Sequence, residues 1–152
     1  MPIGSAVLSA LHLLALAIGL PAVVLRARAL GRPLDAAGLQ GVFRADLAWG
    51  IAAFLWLTTG PARAFGPFEK GTAFYLSSPL FHAKVTLFLI VFLLEIAPMR
   101  TLAGWRRALR RGETPDLSAA RRLAALSWIE ATAVVLIVFV AAFMARGFGM
   151  RG

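Results

Sequence analysis

Four blocks of apolar residues, each long enough to cross a lipid bilayer, constrain the fold of this chain more than any other feature. They cover about residues 3–25, 45–60, 79–99 and 122–145. An α-helix needs about 20 apolar residues to span roughly 30 Å of bilayer hydrocarbon. Only 15% of the residues are charged, whereas a soluble domain carries about a quarter. The sequence therefore predicts one all-α domain over residues 1–152, an integral membrane bundle of four transmembrane helices.

The positions of the basic residues predict the orientation of this bundle. Four arginines lie between the first two blocks, and seven lie between the last two blocks or at the first residue of the fourth. The remaining connection holds only Arg63 and Lys70, and the C-terminal tail holds Arg146 and Arg151. Because cytoplasmic loops are enriched in Lys and Arg, we expect both termini on the periplasmic side of a bacterial inner membrane. The net charge of +9 then indicates attraction to anionic lipid, and we expect no binding of nucleic acid.

Two further observations exclude other classes of protein. The chain has no cysteine, which excludes disulfides, thiolate metal sites and cysteine nucleophiles. The first apolar block has basic residues after it rather than before it, and it is longer than the apolar region of a signal peptide. We therefore expect it to be a retained helix.

Residues that break helices indicate where the helices end. Asp35 is expected to cap a brief helix that leads to Arg44, and the second span is expected to end at Gly60–Pro61. Ser78 and Pro79 are typical of a helix start, and Pro98 is expected to end that helix. Asp116 or Ser118 is expected to cap the fourth helix. The aromatic connection 61–79 is either a belt of anchors at the membrane interface or a lid over a cavity.

Ionisable residues at membrane depth are the strongest functional signal, because a charge in mid-bilayer costs about 2.5 kcal/mol or more and such residues usually face the bundle interior. Six residues qualify, and they separate by depth into two groups. The outer group comprises His12, His82 and Lys84, and the inner group comprises Asp46, Glu95 and Glu130. The inner group lies near Arg26, Arg28 and Arg44. It predicts an ion-pair network that fixes helix packing, a proton path, or an anchor for the carboxylates of an anionic substrate.

The outer group contains both histidines of the chain. A neutral imidazole is the usual axial ligand of haem iron, and bundle cores commonly hold cofactors. His12 and His82 are therefore candidate ligands of one b-type haem, although each could instead hydrogen-bond to a neighbouring helix. His12 lies about nine residues into its helix, roughly 13 Å, and His82 about one turn, roughly 5 Å. Ligation by His12 alone, with His82 and Lys84 contacting propionates or substrate, fits equally well.

The sequence also resembles known families. Leu11-His12, Arg28, Leu80-Phe81-His82-Ala83-Lys84 and Ile129-Glu130 resemble motifs of the HemJ family of bacterial membrane protoporphyrinogen oxidases. The sequence as a whole more closely resembles a bacterial family of predicted membrane proteins, domain of unknown function 2214. This resemblance is strongest at Glu69–Thr72 and Pro79–Lys84. Glu95 stands where the HemJ pattern has a histidine. The HemJ resemblance implies a membrane oxidoreductase that uses a tetrapyrrole.

These observations predict a haem- or porphyrin-binding inner-membrane protein. If the protein is an enzyme, we expect an oxidoreductase that passes electrons to quinone. His12 and His82 would hold haem iron, and Lys84 and Arg28 would pair with its propionates. The candidate catalytic residues are Lys84, Glu130 and Glu95, the two glutamates as proton carriers. The alternative is a non-catalytic membrane protein, transporter-like or an accessory subunit, whose polar residues serve helix packing. A homo-oligomer is compatible with either.

Overall fold

The structure is a computed structural model that describes residues 2–66 and 76–148. These residues form four α-helices: α1 (Pro2–Leu30), α2 (Ala36–Phe65), α3 (Pro79–Arg110) and α4 (Ala120–Ala145). Each helix is long and apolar enough to cross a membrane. The predicted all-α bundle of four transmembrane helices is therefore confirmed. The connection interpreted as a belt of interfacial anchors or as a lid falls largely on residues 67–75, which lie outside the described residues.

The helices run up and down through the bundle. Helix α1 packs against α2 and α4, and α3 packs against α4, whereas the backbones of α2 and α3 stay further apart. The short connections 31–35 and 111–119 lie at one end, which we call the arginine end because residues 26–44 and 100–122 carry most of the arginines. The opposite end is called the termini end. This order leaves an open side of the bundle between α2 and α3.

The outer surface of the bundle is apolar. Large side chains more than half exposed occur on every helix, among them Leu13, Phe54, Leu93 and Phe139. In water such a surface would be costly, but lipid tails are as apolar as these side chains. Helix association in lipid consequently depends on close packing and on polar contacts in the interior.

Two buried apolar clusters fill the interior. The central cluster comprises Ala22, Val23, Trp49, Val91, Ala131, Ala133 and Val134. The arginine-end cluster comprises Leu30, Leu39, Val42, Leu102, Trp105, Leu123 and Ala124. Beyond the central cluster, α1 and α2 make a close contact at Gly19, where an added Cβ would lie 2.9 Å from Cβ of Ala52 and 2.8 Å from the Trp56 ring.

Two predicted helix ends were wrong. The stretch after Asp35 is the beginning of α2, which runs without a break to Phe65, so neither a separate brief helix nor an end at Pro61 occurs. Helix α3 likewise continues through Pro98 to Arg110. A proline removes one backbone hydrogen bond, but membrane helices tolerate that loss because neighbouring groups satisfy the freed carbonyl.

The predicted caps had mixed outcomes. Asp35 accepts a hydrogen bond from the Gly38 amide at 2.7 Å, and Ser78 caps α3 with Pro79 in its first turn, as predicted. Helix α4 begins at Ala120, and its N-cap residue is Ala119, which makes no side-chain capping hydrogen bond. Asp116 accepts from the Ser118 amide in the preceding turn at 2.9 Å, and this bond lowers the pKa of the Asp116 carboxyl.

Candidate functional site

Arg26 is the centre of the buried polar interior. It lies on the face of α1 that also carries Ala22, Val23 and Leu30, so its guanidinium enters the core between the central and the arginine-end clusters. Its side chain is completely buried. A buried charge is tolerated only when it is paired and hydrogen-bonded, and the other three helices supply its partners.

Each of the five N–H donors of Arg26 has an acceptor. Nε donates to Oγ of Ser127 at 3.1 Å. Nη1 donates to Oδ1 of Asp46 at 2.9 Å and to Oε1 of Glu95 at 2.8 Å. Nη2 donates to Oε2 of Glu95 at 2.7 Å and to Oε2 of Glu130 at 2.6 Å. Because a guanidinium has only five donors, Arg26 has none left with which to anchor an anionic substrate, one of the roles considered for this group.

Two more residues take part in this arrangement. Nε1 of Trp49 donates to Oε2 of Glu95 at 2.9 Å, and the Arg26 guanidinium lies 5.8 Å from the centre of the same indole ring. Nη2 of Arg106 donates to Oδ2 of Asp46 at 2.8 Å. We call the whole set the Arg26 network: Arg26, Asp46, Trp49, Glu95, Arg106, Ser127 and Glu130. It joins all four helices.

The charges of the Arg26 network do not balance. Its ion pairs hold three carboxylates and two guanidinium groups, which leaves a formal charge of −1. Glu95 and Glu130 accept from the same nitrogen of Arg26 and interact with each other. Among the described residues, Oε1 of Glu130 is also the buried side-chain oxygen that lacks a hydrogen-bond partner. The network therefore has room for one more positive charge and one more donor.

Solvent exposure increases stepwise across the Arg26 network. The side chains of Glu130 and Arg26 are 0% exposed, those of Asp46 and Glu95 are 14% and 19% exposed, and that of Arg106 is 37% exposed. Asp46 and Arg106 line an open groove of about 780 Å³ on the α2–α3 side, together with the apolar side chains of Leu47, Ile51 and Phe54. This groove connects the network with the outside of the bundle.

The inner group predicted from the sequence is brought together as expected. Asp46, Glu95 and Glu130 meet around a cation, but that cation is Arg26, with Arg106 beside it; Arg28 and Arg44 are exposed. Sequence reasoning missed Ser127, Trp49 and Arg106. Ser127 and Trp49 each lie three residues from a member of the inner group, so helical spacing could have found both. Arg106 gives no such signal, since it lies among other arginines in a stretch expected to be a loop.

The outer group is brought together only in part. His12 on α1 hydrogen-bonds through Nδ1 to Oγ1 of Thr59 on α2 at 2.8 Å, and the charges of Lys84 and Arg63 act on its ring. His82 is exposed, and its Nε2 lies 2.9 Å from the Leu76 carbonyl oxygen. The two histidines thus hydrogen-bond to different partners, and whether they share a haem remains a prediction.

Arg28, the other predicted propionate partner, is not near His12. Both residues lie on α1, sixteen residues apart, which corresponds to a rise of about 24 Å. Within residues 2–66 and 76–148, no three His, Asp or Glu side chains are grouped as metal ligands. The carboxylates of the inner group are directed at Arg26 instead.

Comparison with known protein families gives a match. A family model described as "Predicted membrane protein (DUF2214)" matches residues 4–149, nearly the whole chain. Searches of curated proteins and of solved structures gave no significant match. The resemblance to the HemJ family gains no support from these comparisons.

Proposed function

We propose that this protein functions by binding and releasing a proton at the Arg26 network. The chain belongs to the DUF2214 family of predicted membrane proteins. The observation that carries the proposal is the Glu95–Glu130 pair on one guanidinium nitrogen. Two carboxylates so close repel each other unless one is protonated. One proton brings the formal charge of the network from −1 to zero, and it belongs to the pair rather than to either glutamate.

The groove between α2 and α3 supports exchange of this proton with the arginine end. Glu130 is fully buried, Asp46 and Glu95 are partly exposed, and Arg106 is the most exposed of the four, so exposure increases from the centre of the network toward the groove. Toward the termini end, apolar side chains lie next to Arg26 instead. Arg26 and His12 lie fourteen residues apart on α1, a rise of about 21 Å, and the central cluster lies on that side of Arg26.

Infrared spectroscopy of the chain in lipid nanodiscs tests the proposal. We expect a carbonyl stretch from a protonated carboxyl group in a low-polarity environment, and we expect it to shift when the buffer is changed to D₂O. Absence of this band at neutral pH would overturn the proposal, since all carboxylates would then be ionised. A band that never shifts in D₂O would overturn it as well, because a proton that does not exchange has only a packing role.

Haem or porphyrin binding at His12 is a second candidate. The Thr59 hydroxyl donates to the Leu55 carbonyl at 2.6 Å, so it accepts from Nδ1–H of His12. The lone pair of the ring is then on Nε2, as in a histidine that binds a metal through that nitrogen. Lys84 and Arg63 supply positive charge near this ring, which suits propionates.

The haem proposal has its own test. The chain purified from haem-replete cells should give a Soret band that is lost in His12→Ala and altered in Thr59→Val. No Soret band after addition of haemin would remove this candidate, and with it the proposed transfer of electrons to quinone. The proton proposal does not depend on the outcome, because the Arg26 network contains no histidine.

A further inference from the structure

The groove between α2 and α3 combines an apolar channel with arginines at one end. Its wall on α2 includes Leu47, Ile51 and Phe54. Gly50 also lines it, and no described atom lies within 4 Å of a Cβ placed there. Arg44 and Arg106 stand at the arginine end of this channel. The groove is thus apolar along its length and positively charged at its mouth.

The positive charge continues beyond the groove. A second depression of about 560 Å³ adjoins it and is lined by Arg106 together with Arg100, Arg107 and Arg110. Arg106 borders both spaces. Among the described residues, Arg106 donates only through Nη2, to Asp46 and to the Phe43 carbonyl. Its Nε and Nη1 donors therefore stay available for a ligand.

We propose that this groove binds one anionic phospholipid, with its phosphate at Arg106 and Arg44 and one acyl chain along Leu47, Gly50, Ile51 and Phe54. Arginine forms strong charge-assisted hydrogen bonds with phosphate, and basic pockets between membrane helices hold anionic headgroups. From Arg44 to Phe54 the helix rises by about 15 Å, half the roughly 30 Å hydrocarbon thickness of a bilayer. The groove therefore matches one leaflet in length and an anionic lipid in charge.

The molecule that occupies the groove must be amphiphilic, and the positive charge of Arg44 and Arg106 indicates its class. An apolar helix from a second copy would fill the groove but would offer no anionic partner to Arg44 or to the Nε and Nη1 donors of Arg106. A neutral phospholipid would place its own cation beside them. An anionic headgroup pairs with both arginines, and it leaves the Arg106–Asp46 bond in place because that bond uses only Nη2.

Native mass spectrometry of the full chain, with phosphatidylglycerol or phosphatidylcholine added to the detergent, tests this site. We expect one molecule of phosphatidylglycerol to be retained in preference to phosphatidylcholine. Arg44→Gln and Arg106→Gln should each weaken retention about fivefold, as expected for loss of one cation at an anionic lipid. Arg121→Gln, which removes an exposed arginine of α4 at the same end, should retain phosphatidylglycerol like the original chain.

A variant that fills the groove tests the contribution of the acyl chain to binding separately from that of the headgroup. Gly50→Leu places a side chain in the channel and should reduce retention while all arginines remain. Equal retention of both lipids, or unchanged retention in Arg44→Gln and Gly50→Leu, would overturn the proposal. A dimer that becomes monomeric in Gly50→Leu would overturn it too, because the occupant would then be a second copy. Arg44 is exposed, so its replacement tests the site without risk to the fold.

Discussion

Arg26 on α1 and Glu130 on α4 are 104 residues apart in the chain, yet Nη2 and Oε2 are 2.6 Å apart and neither side chain is exposed. A buried pair of this kind adds little net stability compared with apolar residues of the same shape. Removal of one partner, in contrast, leaves an uncompensated buried charge and costs about 3–5 kcal/mol. The pair makes the fold dependent on Arg26.

Arg26→Lys should destabilise the bundle, because lysine has three donors and cannot satisfy the acceptors on Ser127, Asp46, Glu95 and Glu130. Arg26→Met should cost more, about 3–5 kcal/mol, since it removes the charge as well. Thermal unfolding in detergent measures both. Arg28→Lys is the matched control because Arg28 is an exposed arginine of the same helix. A melting temperature in Arg26→Lys equal to that in Arg28→Lys would contradict the proposed role of the five hydrogen bonds.

Ser127→Ala should lower stability by about 1–3 kcal/mol, the cost of a buried donor that loses its acceptor. Ser127 is fully buried and accepts from Nε of Arg26. Ser118→Ala is the comparison, because Ser118 is exposed and its interaction with Asp116 lies at the surface. Unfolding curves of the two variants that coincide would refute this expectation.

Gly19→Ala should separate α1 from α2 locally. The new Cβ would lie closer than 3.0 Å to atoms of Ala52 and Trp56, and neither a backbone-proximal methyl group nor a packed indole can withdraw far. At Gly60 no described atom lies within 4 Å of an added Cβ, so Gly60→Ala should be neutral or stabilising, by up to about 1 kcal/mol of helix propensity. Thermal unfolding measures both variants. A lower melting temperature for Gly60→Ala than for Gly19→Ala would be inconsistent with the close α1–α2 contact at Gly19.

Blocking the groove should slow exchange of the network proton. Because the chain has no cysteine, Gly50→Cys provides a unique site on the groove wall for a bulky maleimide. In nanodiscs without anionic phospholipid, we expect the carboxyl band of the labelled protein to shift more slowly in D₂O than before labelling. Gly60→Cys, on the same helix but not among the groove-lining residues, should show no such effect after labelling. Equal exchange rates in the two labelled proteins would mean that the proton leaves by another route.

The sequence was sufficient to predict the four helices, because the length of an apolar block directly reflects the thickness of the bilayer. It was also sufficient to predict that Asp46, Glu95 and Glu130 meet, since buried carboxylates at one depth need a shared cation. It could not identify Arg106, because an arginine within a basic stretch looks like any other until α3 is known to continue past Pro98. The outer group was harder to interpret, since helix rotation decides whether His82 faces His12, and an apolar sequence with a weak amphipathic pattern does not fix that rotation.

The most direct test of the account is the carboxyl band in matched glutamate variants. Glu130→Gln leaves two carboxylates and two guanidinium groups in the Arg26 network, so no proton is needed for charge balance. Glu113→Gln removes an exposed glutamate from the α3–α4 connection and leaves the network unchanged. In nanodiscs at neutral pH, we predict the band of a protonated carboxyl group in the original chain and in Glu113→Gln, and its loss in Glu130→Gln. A band that persists in folded Glu130→Gln, or that is absent from the original chain, would contradict the account.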